Sequence, residues 1–132
     1  MFIDASAAVA IILYEADREE LRQKLKSTSR RSMSALSSYE TVMAIRRVKL
    51  ISVGDAYGLV LEFQKIFRIS SLAIEARFAQ SALDAFERYG RGQGHPAKLN
   101  MGDCFSYACA KLLKVPLLCK GNDFVHTDIK IA

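Results

Sequence analysis

The chain alternates short apolar stretches with long helix-forming segments, and that alternation limits the folds open to it. Phe2–Asp4, in "FID", reads as a strand. Strand-like segments recur around Arg31–Met33, in "FRIS" (67–70), in "VPLLC" (115–119) and, after a "KGND" turn, in "DIKIA" (128–132). Helical patterns separate the first four. They are Ala5–Tyr14, then "DREELRQKLKS" from Asp17 with Leu21 and Leu25 turned inward, then "SSYETVMAIRRVKL" from about Ser37. Another lies behind "SVGD", a capping box with Ser52 as cap and Asp55 three residues on, and runs to about Phe67. Leu72–Tyr89 and Asp103–Lys114 complete the set. Strands so far apart in sequence are joined by crossovers, which pair them in parallel and put helices on both faces of the sheet. The expectation is one α/β domain over residues 1–132, a three-layer sandwich around a short, mostly parallel sheet of four or five strands. In such sheets the ligand crevice lies beyond the carboxyl ends of the strands.

Four of the fourteen acidic residues fall where that crevice should be. Asp4 interrupts an otherwise apolar opening, "MFIDASAAVAIILYE"; it is either a helix cap or a charge that meets a cation. Glu40 shares a mostly apolar helical stripe with Leu36, Met43 and Ala44, unless it pairs with Arg47. Asp103 sits in a first helical turn, where a negative charge is favourable in any case. Asp123 follows a strand, in a turn that suits Asn and Asp for local reasons. Each has an ordinary explanation. Together, Asp4 and Asp123 follow strands, Asp103 opens a helix at the same sheet edge, and Glu40 projects from a helix beside them. Carboxylates gathered there raise one another's pKa, and a divalent cation relieves the conflict. An all-oxygen site suits Mg²⁺ or Mn²⁺.

The charge balance agrees with a polyanionic partner. The formal net charge is +5 and the sequence pI about 9.2. The loop "GRGQGHPAKLN" carries Arg91 and Lys98 among three glycines and a proline, but its spacing is wrong for a phosphate-cradling glycine fingerprint. Cys104, Cys109 and Cys119 lack metal-ligand spacing and read as small buried residues of a reducing compartment. His95 and His126 have no partner at ligand spacing. The N-terminal apolar run is about half a membrane span and lacks the features of a signal peptide, so a soluble, cytoplasmic protein is expected.

Four segments, "FIDASA" with Asp4 and Ser6, "SSYETVMAI" with Glu40, "LNMGDCFSYACAK" with Asp103 and "LLCKGNDFVHTDI" with Asp123, together resemble the motifs of the PIN-domain nucleases. The likeness is closest to the VapC-type toxins of bacterial and archaeal toxin–antitoxin pairs, and it covers essentially the whole chain. It implies a PIN-like sandwich and a Mg²⁺- or Mn²⁺-dependent endoribonuclease that hydrolyses RNA phosphodiesters with metal-activated water. It also implies that Asp4 and Asp103 are metal ligands, with Glu40 and Asp123 acting directly or through water. Ser6 would orient Asp4 or touch a phosphate, or else serve as a second cap. Many PIN domains carry an acid earlier in the final motif, where Lys120, Gly121 and Asn122 stand here, so Asn122 and Asp128 are alternatives for completing the acidic site. Arg91 and Lys98, ahead of Arg46, Arg47 and Lys49, are the candidates for the RNA backbone. The resemblance further implies a VapB-like antitoxin lying across the acidic crevice, and a homodimer; helices around residues 37–66 carry apolar residues suited to an interface.

Two other readings stay open on the residues alone. A receiver-like Mg²⁺ phosphoacceptor domain would want an acidic doublet after the first strand, where Asp4 is followed by Ala5. A dehalogenase-like phosphatase would want D-x-D, and residue 6 is Ser. The second alternative is a non-catalytic RNA- or partner-binding module.

Overall fold

The computed structural model describes residues 1–132. Its elements run β1 (Phe2–Ile3), α1 (Ala5–Ile12), α2 (Arg18–Lys26), β2 (Ser32–Ser34), α3 (Ala35–Lys49), α4 (Val53–Ile66), β3 (Ser70–Leu72), α5 (Ala76–Tyr89), α6 (Met101–Leu113) and β4 (Leu117–Leu118). The strands form one sheet in the order β3-β2-β1-β4, and every pairing is parallel. Phe2 stands opposite Ser32 and Leu117, and Ile3 opposite Leu118. The "DIKIA" segment adds no strand; it contributes a single parallel bridge between Ile131 and Leu117.

Side chains alternate across a strand, and here that alternation sorts the core into two layers. Phe2 and Leu117 face α5 and α6, packing with Phe78, Ala82, Tyr107 and Phe124. Ile3, Met33 and Leu118 face the other way, onto Ala7, Ile11, Leu21, Leu25 and Phe63 of α1, α2 and α4. Each such large apolar side chain contributes roughly 1.5–3 kcal/mol by leaving water. A smaller cluster of Val42, Ile45, Ala56 and Val60 joins α3 to α4.

Several boundaries differ from the sequence reading, each for a local reason. Helix α1 ends at Ile12 rather than Tyr14, because Tyr14 adopts φ 61° and turns the chain toward α2. Strand β2 is shifted by one residue, and α3 leaves it directly. Ser34 is both the last strand residue and the helix cap, its hydroxyl accepting the Ser37 N–H at 3.0 Å. Strand β3 lies later than "FRIS" because Arg68, at φ 51°, closes the end of α4 before the chain can extend. Helix α5 accordingly starts at Ala76 instead of Leu72. At Ser52 the cap accepts the Asp55 N–H, but the Asp55 carboxylate takes the Ser52 hydroxyl rather than its backbone N–H. The reciprocal capping box occurs instead at Asn100 and Asp103, where α6 begins.

Candidate active site

Asp4 follows β1 and caps α1, and it is only 4% exposed. Its Oδ2 accepts both the N–H of Ser6, at 2.8 Å, and the Ser6 hydroxyl, at 2.5 Å. The Ser6 oxygen in turn accepts the backbone N–H of Lys120 at 2.9 Å, tying the segment after β4 to the start of α1. Capping therefore occupies one carboxylate oxygen of Asp4. Oδ1 receives no hydrogen bond from the protein.

Helix α3 carries Glu40 to the same edge of the sheet. Glu40 is half-buried and forms no ion pair with Arg47 or any other cation. Its pKa is raised to about 7, first by burial and then by the charges of Asp4 and Asp103. A buried, unpaired carboxylate is unfavourable unless something positive meets it. The side chain lies over Gly102, in the first turn of α6. A Cβ added there would overlap the Glu40 carboxyl group. Glycine thus keeps open the space in which Glu40 lies beside the α6 N-terminus.

Asp103 is held at that terminus by the capping box. Its N–H donates to Asn100 Oδ1 at 3.0 Å, and its Oδ2 accepts the Asn100 N–H at 2.8 Å. Its pKa nevertheless rises to about 6. Burial is the largest cause; the Asn100 N–H opposes it, the charges of Asp4 and Asp123 add to it, and Arg91 lowers it. Asp103 Oδ1, like Asp4 Oδ1, has no protein donor.

Asp4 and Asp103 thus lie close enough to raise the pKa of Glu40, and Asp4 and Asp123 that of Asp103. No three acidic, histidine or cysteine side chains are drawn into a closed ligand cluster. Capping bonds hold Asp4 and Asp103 in place. The donor set fits a divalent cation in its chemistry: carboxylate oxygens without protein donors, partly or wholly buried, with Glu40 and Asp103 disfavoured as anions.

The other sequence candidates divide. Asp123 is exposed in the turn after β4, and the neighbouring Asn122 is exposed too. Asp128 lies elsewhere. It accepts from the Tyr107 hydroxyl and from Lys111 at 2.7 Å, with Arg88 at 3.7 Å, and these partners pull its pKa down to about 2. It pins the C-terminal segment to α5 and α6. Arg91 and Lys98, with Gly92, Gly94, His95 and Pro96, line an open hollow of about 680 Å³ in the glycine loop. Arg91 is the cation whose field reaches Asp103. Arg46, Arg47 and Lys49 are exposed in the last turn of α3. His95 packs edge-on against Tyr89 and accepts the Ala97 N–H, so its role is local. Cys104 and Cys109 are buried, Cys119 only partly, and burial raises all three thiol pKa values to about 11 or 12.

Sequence reasoning missed two contributors. The only sign of Gly102 was a glycine at a poor helix position immediately before an acid. Lys120, read only as a turn residue, donates its N–H to Ser6 and pairs its side chain with Glu15 and Asp17.

Comparison with known proteins gives the family. The PIN domain family model matches residues 1–130. A VapC ribonuclease of Rhizobium meliloti is 39% identical across 97% of this chain and 98% of its own length. Ribonuclease VapC of Mycolicibacterium smegmatis is 40% identical across 98% of this chain and 97% of its own. In three dimensions, VapC20 of Mycobacterium tuberculosis, described as a sarcin-ricin loop cleaving toxin, superposes with a TM-score of 0.75 over 99% of this chain and 97% of that one. At 13% identity it speaks to the fold alone. The parallel four-stranded sheet, the acids at its carboxyl edge and the full-length match lead to one conclusion: this chain belongs to the PIN domain family, among its VapC ribonucleases.

Proposed function

We propose that the protein is a divalent-metal-dependent endoribonuclease and the toxin of a toxin–antitoxin pair. The observation that carries this reading is the Glu40 carboxyl group over Gly102, within the fields of Asp4 and Asp103 and without a protein cation of its own. The full-length relatives named as ribonucleases support it. Asp4 and Asp103 would hold the cation through their free oxygens, with Glu40 beside them and Asp123 or Asn122 at the rim. When bound, Mg²⁺ or Mn²⁺ would neutralise the carboxylates and supply Lewis-acid activation for phosphodiester hydrolysis.

The chain's own residues do the rest. Ser6 fixes the rotamer of Asp4 and links it to Lys120. The Asn100 box fixes Asp103. Glu40, disfavoured as an anion beside Asp4 and Asp103 in the metal-free chain, would be held ionised by the bound cation. Arg91 and Lys98 stand on a loop that can follow flanking phosphates. A crevice of acids that needs a cation to receive RNA is also one that a basic antitoxin segment can block. Copies of the chain pair through the α3–α4 face, where Tyr39, Val53, Tyr57 and Leu61 are exposed beside a hollow of about 500 Å³. No helix is long and apolar enough to cross a membrane, and the proposed setting is the cytoplasm.

The test is cleavage of total RNA by antitoxin-free protein with Mg²⁺ or Mn²⁺, beside EDTA and Asp103→Asn controls. Discrete, metal-dependent fragments absent from the variant are expected. Absence of cleavage across several RNA pools, with metal binding demonstrated, would favour the non-catalytic module.

A further inference from the structure

At the opposite end of the sheet lies a second charged feature. A hollow of about 490 Å³ opens beside the amino ends of β2 and β3. Three arginines line it, Arg30, Arg31 and Arg68, together with Ser29, Ser32 and Ser70, and no acidic residue does. None of the three arginines has an ion-pair partner, although several other surface cations of the chain are paired.

The arginines are not equally free. Arg31 is held in place: its Nε donates to the Leu25 carbonyl and its Nη1 to the Phe67 carbonyl, each at 2.6 Å. Its own carbonyl accepts both the N–H and the hydroxyl of Ser70. The fold thus fixes one cation at the floor of the hollow. Arg30 and Arg68 are exposed at its rim, with the Ser29 and Ser32 hydroxyls beside them as further donors. Like charges held together without counter-charges attract an anion. Several forked guanidinium groups with hydroxyl donors match the oxygens of phosphates.

We propose that this hollow is a second RNA contact, binding the sugar-phosphate backbone on the face opposite the carboxylates. The proposal rests on the RNA reading above. Because the two faces lie at opposite ends of the strands, a short oligonucleotide in the acidic crevice does not reach the hollow. A folded RNA that extends around the molecule does. The hollow therefore favours large, structured RNAs over short single strands.

The experiment measures binding of a labelled stem-loop RNA of transfer-RNA size as a function of salt. It uses the full chain carrying Asp103→Asn, with and without Arg30→Gln and Arg68→Asn. Arg31 is left intact because it holds backbone carbonyls, and Asn is chosen at position 68 because it tolerates the left-handed backbone there. Loss of one or two phosphate contacts is expected to make the slope of log K against log salt shallower by about 0.7–1.8. The charge-preserving pair Arg30→Lys and Arg68→Lys is expected to keep the slope. Melting curves establish that each variant is folded; if the double variant is not, Arg30→Gln alone is read against Arg30→Lys. Equal slopes and affinities in folded variants would overturn the proposal. So would a hollow that binds inorganic phosphate, seen as stabilisation lost in the variants, while RNA binding stays unchanged; that result marks a small-anion site. Cleavage by the unmodified chain is scored separately. A nuclease with unaltered slopes defeats only this proposal, and altered slopes without cleavage defeat only the catalytic reading.

Discussion

Gly102 separates stability from activity at a single residue. An alanine there overlaps the end of a flexible side chain, Glu40, rather than backbone, so the acid moves and the fold stays. Alanine is also the better helix former, by up to about 1 kcal/mol. Gly102→Ala is therefore expected to melt at the same temperature or higher, while RNA cleavage falls by about 100-fold, the scale of a misplaced reacting group. Loss of both together would show that Gly102 serves folding. Glu40 offers a second contrast. A carboxyl group whose folded pKa exceeds its unfolded value holds its proton more tightly in the folded chain. Folding then takes up protons between about 4.5 and 7 for Glu40, and between about 3.8 and 6 for Asp103. Metal-free protein should lose stability as pH rises through those windows. Glu40→Gln should raise the metal-free melting temperature at pH 8 by a few degrees and leave it nearly unchanged at pH 4. A variant that is less stable at pH 8 would contradict this account.

Among the elements, α1 shows how a cap and a ligand share one side chain. Asp4 caps the helix through Oδ2 and leaves Oδ1 free. Asn caps as well as Asp, so Asp4→Asn should change metal-free stability by less than about 0.5 kcal/mol. Asp4→Ala, which loses the cap too, should cost about 1 kcal/mol more. Both should abolish the rise in melting temperature produced by Mn²⁺. Differential scanning calorimetry of the two variants, with and without Mn²⁺, measures these effects; a Mn²⁺ shift retained in Asp4→Asn would remove Asp4 from the ligand set. At the other end of α6, Asp128 accepts from both Tyr107 and Lys111. Its depressed pKa contributes stability that is present above about 3.8 and lost as pH falls toward about 2.

For the whole molecule, the exposed α3–α4 face bears on assembly. Tyr39, Val53, Tyr57 and Leu61 form an apolar surface beside one hollow, on helices whose other faces are already packed. Tyr57→Glu with Leu61→Glu is expected to sediment as a folded monomer, and the unmodified chain as a dimer. Analytical ultracentrifugation over a concentration series distinguishes them, and a monomeric unmodified chain would refute the pairing. The same view sets the two charged ends in relation: acids at the carboxyl edge of the sheet, unpaired arginines at the amino edge.

Alternation of strand-like and helical segments was enough to determine the parallel α/β sandwich, because crossovers of that length leave no room for hairpins. It also marked Asp4, Glu40 and Asp103, since each is a charge set in apolar or helix-opening surroundings. Boundaries were less legible. The left-handed backbones at Tyr14 and Arg68 fall on residues with no glycine signal, and they decided where α1 ended and β3 began. "DIKIA" read as a strand because its pattern is apolar, but only the tertiary arrangement showed that it meets Leu117 at one bridge. Asp123 and Asp128 were both candidates to complete the acidic site. The fold separated them, giving Asp128 to Tyr107 and Lys111 and leaving Asp123 at the rim of the acidic crevice. The space above Gly102 was likewise invisible in the sequence. It exists only where α3 crosses the start of α6, and contacts between residues so far apart in the chain leave no periodicity to read.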